Sequence, residues 1–308
     1  MNTFKIGIAL SGGGVRGMAH IGALQALEEA GIEPQVITGA SAGAIVGALY
    51  AKGMAPQEML DFFKANSRIF RWQHFSRSKP GLLDAELYRE MFEELFPLDN
   101  FSELNKKLYI SATDIEQARC VLFHHGPLIK PLLASAAFPP IFTPVEIDGH
   151  WYVDGGVMNN FPVEPLLAEC QFVIGSYVSP VKMMSRAHIS NSLRLLHRVN
   201  DLVLIAASAA KFNWCDVLLL MKSLYKYSTF ETSKIEEIYQ IGYQYTISQI
   251  EKVLRCYEDV KHHGGARRDM SKPPCRWAQP QREEVRHFDT LTTTGTQDVA
   301  SKDGHSIN

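Results

Sequence analysis

The chain has 308 residues, 46% hydrophobic and 21% charged, the proportions of an ordinary globular protein long enough for one large α/β domain or two small ones. Its 31 Lys and Arg against 33 Asp and Glu leave a formal charge of -2, with a pI near 6.6, so no basic face for nucleic acid is expected. Five cysteines, odd in number, far apart and without a Cys-x-x-Cys, indicate neither a disulfide framework nor a zinc site, and no run of about 18 apolar residues is present to span a membrane.

In chain order, residues 4 to 10 form a β-rich apolar run and lack the charged and apolar regions of a signal peptide. With the unpaired cysteines, this gives a cytoplasmic expectation. The run ends in Ser11-Gly12-Gly13-Gly14-Val15-Arg16-Gly17. From Met18 to Ala30 the residues Ile21, Leu24, Ala26 and Leu27 recur at helical spacing, and Gly31 takes the closing position. Strand, glycine turn, helix and strand make a βαβ unit, and the glycines are either a tight turn or a cradle of backbone N–H groups for an anion. The next apolar run, 36 to 38, enters Gly39-Ala40-Ser41-Ala42-Gly43, a Gly-x-Ser-x-Gly elbow. A strand turning sharply into a helix exposes its central serine, and the helix N-terminus favours negative charge at that oxygen.

Gly12-x-Gly14-x-x-Gly17 also satisfies the dinucleotide fingerprint formally. That reading needs an acidic residue ending the second strand to hold the ribose, whereas this strand ends in Gly39-Ala40-Ser41 and Glu33 precedes it. A glycine turn beside a serine elbow suits acyl transfer instead.

Pro56 opens another helix, followed by interleaved aromatic and basic residues from Phe62 to Lys79 that either close the core or contact a lipid headgroup boundary. Asp84 is expected to cap an amphipathic helix reaching Leu95. Residues 107 to 115 and 119 to 124 read as a strand pair. Asp114, ending the first, is a turn former or a partner for Ser41, and His124-His125 reads as surface. A short helix over 128 to 138 precedes Val145-Glu146-Ile147-Asp148-Gly149-His150-Trp151-Tyr152-Val153, a hairpin about Asp-Gly whose second arm ends in Asp154-Gly155-Gly156. Asn160 to Val163 begins a helix, 172 to 178 is a buried strand, 189 to 212 a helix and 217 to 220 a last strand. Ser233-x-x-Glu236 reads as a capping box opening a helix to about Lys261. A domain over 1–261 is therefore expected, with a low-complexity, disordered tail over 262–308.

Gly12-Gly13-Gly14-x-Arg16-Gly17, Gly39-x-Ser41-x-Gly43, Ala134-Ser135-Ala136-Ala137-Phe138-Pro139 with Phe142-x-Pro144-Val145, and Asp154-Gly155-Gly156 together resemble the patatin-like phospholipase family, over residues 5 to 250 or so. The resemblance implies a three-layer α/β/α fold with a mostly parallel central sheet, and a Ser–Asp dyad of Ser41 as nucleophile and Asp154 as base. It also implies an oxyanion hole at Gly12, Gly13 and Gly14 with Arg16 beside it, and acyl esters of lipids as substrates. No cofactor or metal is implied. A free carboxylate is a weak base for a hydroxyl, so the dyad requires Asp154 to be partly desolvated. His20 is the alternative base or a buried helix residue beside the site. A catalytically weak lipid-binding regulator on the same scaffold is the competing class.

Overall fold

The computed structural model describes residues 4–66, 80–182, 184–229 and 231–262. Most of the aromatic and basic stretch between Phe62 and Lys79, and all of the tail beyond His262, lie outside these described residues.

Strands β1 (Ile6–Leu10), β2 (Val36–Ala40), β3 (Lys107–Asp114), β4 (Arg119–Phe123), β5 (Val145–Ile147), β6 (His150–Asp154), β7 (Phe172–Tyr177) and β8 (Val217–Leu220) form one sheet. Its order is β5-β6-β3-β2-β1-β7-β8, with β4 pairing to β3 off that path. The run β3-β2-β1-β7-β8 is parallel and the β4, β5 and β6 pairings are antiparallel. Every residue of β1, β2 and β7 is buried, as a parallel sheet covered on both faces requires.

The helices are α1 (Met18–Glu29), α2 (Ala42–Lys52), α3 (Pro56–Ala65), α4 (Arg89–Leu95), α5 (Ile129–Ala136), α6 (Gly156–Asn159), α7 (Glu164–Glu169), α8 (Ser192–Ala209) and α9 (Ile235–His262). Alternation along β1 divides the core. Ile6, Ile8 and Leu10 join the cluster under α1, α2, α5 and α9, while Ala9 faces Phe161, Leu166 and Ile205 of the opposite layer. These are the three expected layers.

Two expectations change. The helix capped by Asp84 divides into a 3-10 turn, Ala85–Tyr88, and α4; the Asp84 carboxylate still accepts the Glu86 N–H at 3.0 Å. Ser233 lies in a 3-10 turn, Thr232–Lys234, before α9 and forms no capping box, because Glu236 turns to pair with Lys64 on α3. The expected hairpin is present, with Asp148 at φ 51° and Gly149 at φ 80°, the two left-handed residues that a type I′ turn needs.

β3 sets the position of the site. Ser111 pairs with Ala40 on one edge and Leu122 on the other, and Ala112 pairs with Asp154 and Val121. β4 therefore occupies one edge, while β2 and β6 share the other end to end, running toward each other. Ala40 and Asp154 lie opposite adjacent β3 residues, so the chain leaves both strands at one place.

α1 packs on α9 through close backbone approach: a Cβ on Gly242 would lie 2.0 Å from the Ala19 carbonyl oxygen, and one on Gly22 would lie 2.2 Å from that of Tyr239. Gly242→Val is expected to destabilise the fold by about 1–3 kcal/mol, since the two backbones are in direct contact along the buried face of α9 and must separate. Chemical denaturation checks this, and Gly31→Asn, at an open left-handed position, is the mild control.

Candidate active site

Ser41 follows β2 directly and precedes α2, with φ 53° and ψ −124°, a conformation that costs a non-glycine residue about 1–3 kcal/mol. Both arms of the elbow depend on missing side chains. A Cβ on Gly39 would stand 2.4 Å from the Gly43 carbonyl oxygen, and one on Gly43 would stand 2.3 Å from that of Leu10. The peptide groups of Ser41 are held on both sides. Its N–H donates to the Ser135 hydroxyl at 2.8 Å, and its carbonyl accepts the N–H groups of Ala44 and Ile45 at 2.9 and 3.2 Å.

Asp154 ends β6 and is 2% exposed. It accepts the Gly156 N–H at 2.6 Å, and the Ser41 hydroxyl lies near enough to favour its ionised form. Burial raises its pKa from the ordinary 3.8 to about 6, and the Ser41 hydroxyl and the Gly156 N–H oppose the rise without cancelling it. Gly155 passes so close to β3 that a Cβ there would lie 2.2 Å from the Ser111 carbonyl oxygen, while Gly156 starts α6 against the Asp154 carboxylate.

Ser135 joins the two loops. Besides holding the Ser41 N–H, its carbonyl accepts the Gly155 N–H at 3.4 Å, and Ala137, two residues on, accepts the Asp154 N–H at 3.0 Å. Its place in the Ala134–Pro139 motif was the signal available in the sequence; its role was not readable there.

The glycine turn is divided in use. The Gly12 N–H goes to the Asn160 carbonyl at 3.1 Å, so Gly12 fixes the turn and donates nothing into the site. Among the described residues no acceptor takes the N–H groups of Gly13, Gly14 or Ala42. Gly14, at φ 58°, lies against the Thr229 carbonyl, and Gly17 lies against Ala42 at the start of α2. Arg16 is buried and points back into the turn, donating from Nε to the Gly13 carbonyl at 3.2 Å and from a terminal nitrogen to the Thr229 hydroxyl at 3.2 Å. Burial lowers its pKa, with Asp201 and Tyr177 opposing. Arg16 thus braces the turn.

His20 is fully buried, its Nε2 on the Ser11 carbonyl and its Nδ1 on the Ser176 hydroxyl, each at 2.8 Å. The carbonyl can only accept, so Nε2 carries the proton and Nδ1 accepts from Ser176. Burial lowers the pKa to about 4, so the ring is neutral and both nitrogens are occupied. Asp114 is equally removed from Ser41. It accepts the N–H groups of Glu116 and Gln117 at 3.2 and 3.0 Å and pairs with Arg119. Burial opposes its ionisation, but these donors and His150 hold its pKa below the ordinary value. His124 stacks between Tyr109 and His125, and no group of three metal-ligating side chains occurs among the described residues.

Ser41 and Asp154 open into a chamber of about 170 Å³, walled by Phe63, Met91, Phe92, Leu133, Phe138 and Phe142 and bounded on the polar side by Gly13, Gly14, Arg16 and Ser179. It lies beyond the carboxyl ends of β1, β2 and β7, the usual place for a site in an open parallel sheet. Phe62 and Phe63, the described aromatics of the 62–79 stretch, pack on the core, and Phe63 also lines this chamber.

A strained serine elbow at the end of a doubly covered parallel sheet, beside a buried carboxylate, defines an α/β protein with a strand-turn-helix elbow at its site. The chain belongs to the patatin-like phospholipase family, whose profile matches residues 8–167. An uncharacterised NTE family protein of Mycobacterium tuberculosis is 34% identical over 164 residues, covering 53% of this chain and 45% of its own. The lysophospholipase NTE1 of Saccharomyces cerevisiae is 25% identical, covering 78% of this chain and 16% of its own, and the patatin-like phospholipase domain-containing protein 6 of Homo sapiens is also 25% identical, covering 78% and 20%. The chain thus spans less than half the length of these relatives. Among solved structures, VipD from Legionella pneumophila aligns over 85% of this chain and 67% of its own at 13% identity, with a TM-score of 0.46.

Two outcomes follow from this geometry. Ser135→Ala leaves the buried Ser41 N–H without its acceptor, and is expected to cost about 1–3 kcal/mol in denaturant unfolding. Asp154 has a raised folded pKa, so the folded state binds the extra proton between about pH 4 and 6, and the buried charge costs stability in full above that window. Asp154→Asn is therefore expected to be more stable than the parent by about 1–3 kcal/mol at pH 8, with the gain disappearing as the pH falls to 4. Paired unfolding curves at the two pH values check the sign.

Proposed function

We propose that the protein is a serine acyl hydrolase that cleaves carboxylic ester bonds of lipids, with Ser41 as nucleophile and Asp154 as general base. The observation that carries this reading is the strained Ser41 elbow beside a buried Asp154 carboxylate whose pKa burial has raised to about 6, both opening into one apolar chamber. A carboxylate of ordinary acidity would be a poor proton acceptor; one near 6 is mostly ionised at neutral pH and a stronger base.

In this mechanism the Ser41 oxygen attacks the ester carbonyl carbon as its proton passes to Asp154. The carbonyl oxygen of the tetrahedral intermediate becomes an anion, and Gly13, Gly14 and Ala42, which line the same chamber as Ser41 and whose N–H groups no acceptor takes among the described residues, supply its donors. In this reading Ala42 joins the expected oxyanion set, Gly12 holds the turn through the Asn160 carbonyl, and Arg16 acts through the Gly13 carbonyl. Collapse breaks the bond to the leaving alcohol, which takes the proton from Asp154. Water then attacks the acyl-serine, giving its proton to Asp154, and Ser41 recovers a proton as the acid departs.

The apolar wall of the chamber supports an acyl chain as the group held beside Ser41. The family membership, and the description of the yeast relative as a lysophospholipase, support a lipid ester. Dinucleotide binding has no comparable support. β2 ends at Ala40 and is followed by Ser41, with no acid for a ribose, and Thr229 lies against Gly14 and accepts the Val15 N–H.

Ser41→Ala is expected to abolish hydrolysis of a p-nitrophenyl ester and labelling by a fluorophosphonate while remaining folded. Asp154→Asn should lower kcat/KM by roughly 10²–10⁴. His20→Gln should cost stability and leave the kcat/KM of the folded protein within severalfold. A single acid limb near pH 6 is expected in kcat/KM, because activity rises as Asp154 loses its proton, and it should vanish in the residual activity of Asp154→Asn. An unchanged limb would assign the base elsewhere.

A further inference from the structure

α8 is turned the opposite way from an ordinary surface helix. Ile205 and Ser208 are buried and Asp201 and Leu204 line the chamber, so the inner face is already occupied. On the outer face Leu195, Val199, Leu202 and Ala206 follow one another at helical spacing, flanked by Leu196 and Val203. The five Leu and Val side chains of that face are 44–55% exposed. The patch continues beyond the helix. α6 packs against α8 and exposes Val157 and Met158, and Val157 is also part of the chamber wall. An apolar surface of this extent marks something that covers it.

Charge says what covers it. Between residues 180 and 211 the chain carries five cations, Lys182, Arg186, Arg194, Arg198 and Lys211, against the one anion Asp201, in a protein whose formal charge is -2. Lys211 is paired with Glu164. Among the described residues no carboxylate pairs with the other four; Arg198 donates to the Lys182 carbonyl and Arg194 to the Ser190 hydroxyl. Arg194 and Arg198, one turn apart, border the apolar stripe. An apolar face edged by unpaired cations suits a helix lying in the headgroup boundary of an anionic bilayer, with its leucines and valines in the acyl region.

We propose that the outer face of α8, with Val157 and Met158 of α6, docks this protein on an anionic lipid surface. The docking rests on the lipid hydrolase reading for its purpose but not for its physics. It sets the mouth of the chamber against the membrane, so that an acyl ester enters beside Val157 and reaches Ser41 without crossing water. It also presses on a helix whose inner residue Asp201 faces the buried guanidinium of Arg16, the brace of the glycine turn.

The test uses the full chain carrying Ser41→Ala, so that lipid is not consumed, sedimented with vesicles of phosphatidylcholine alone or mixed with phosphatidylglycerol. Binding at least about tenfold tighter to the mixed vesicles is expected. Val199→Asp with Val203→Asp, two exposed positions outside the chamber wall, should lower that binding by about tenfold or more with no loss of thermal stability. Arg194→Glu with Arg198→Glu should remove the preference for the anionic lipid. With Ser41 restored, the Val199→Asp, Val203→Asp protein should hydrolyse vesicle phospholipid correspondingly more slowly and a soluble short-chain ester at the parent rate.

Failure of the parent to bind either vesicle, or equal binding by the double aspartate variant, would overturn the docking surface. So would a dimer that the two aspartates convert to monomer while vesicle binding is unchanged, which would assign the face to a second copy of the chain. Vesicle binding that follows the expected pattern in a protein that hydrolyses no ester would retain the docking surface and reject the hydrolase reading.

Discussion

The site depends on the shared edge of β3. A strand edge offers one row of hydrogen-bonding groups, and here β2 uses its first part while β6, arriving antiparallel, uses the rest. Two strands approaching head-on along one edge cannot both continue. β2 must leave the sheet after Ala40 and β6 after Asp154, and the departing chains turn out of the sheet at the same point. The elbow at Ser41 and the close passage of Gly155 over Ser111 are the two local solutions to that obstruction. Ser41 and the Asp154 carboxylate are neighbours because the sheet has room for only one of their strands at a time.

Holding them there costs stability, which the surroundings offset. Ser41 sits at a positive φ, and Asp154 keeps a carboxylate away from water with the Gly156 N–H donating to it. Ser135 opposes both costs from one position on α5, through its hydroxyl to one loop and its carbonyl to the other. Arg16 and Asn160 perform the equivalent service for the glycine turn, one gripping Gly13 and the other taking the Gly12 N–H. Among the described residues no acceptor takes the N–H groups of Gly13 and Gly14, and both residues border the chamber. Under the proposed hydrolysis, donors already fixed in place would lose little freedom when an oxyanion forms, so the same rigidity would serve reaction as well as structure.

The same economy of position appears in α8. Its inner residues complete the chamber and its outer residues carry exposed leucine and valine, so one helix belongs to both the pocket and the surface. The charge excess around it is local, hidden in a chain whose totals nearly cancel.

Local backbone chemistry was legible in the sequence. Glycines at 12 to 14, 39 and 43, and Asp148-Gly149, specify turns through the side chains they lack, and Phe172–Tyr177 and Val217–Leu220 specify covered strands through continuous apolar runs. Contacts between distant segments were not. Ser135 meets Ser41 across 94 positions only because α5 crosses the end of the sheet, and the Gly12 N–H is spent on Asn160 for a similar reason. Glu236 looked like the second half of a capping box, and a lysine on another helix took it instead. The stripe on α8 shows the division most plainly. Its period fixes that the apolar residues share a face, but period is blind to direction, and only the packing of Ile205 and Leu204 against the body of the protein turned that face outward. The sequence by itself determined where the chain bends and which residues move together; the tertiary structure decided what each of them meets, because hydrogen bonds and burial depend on distances that no local pattern contains.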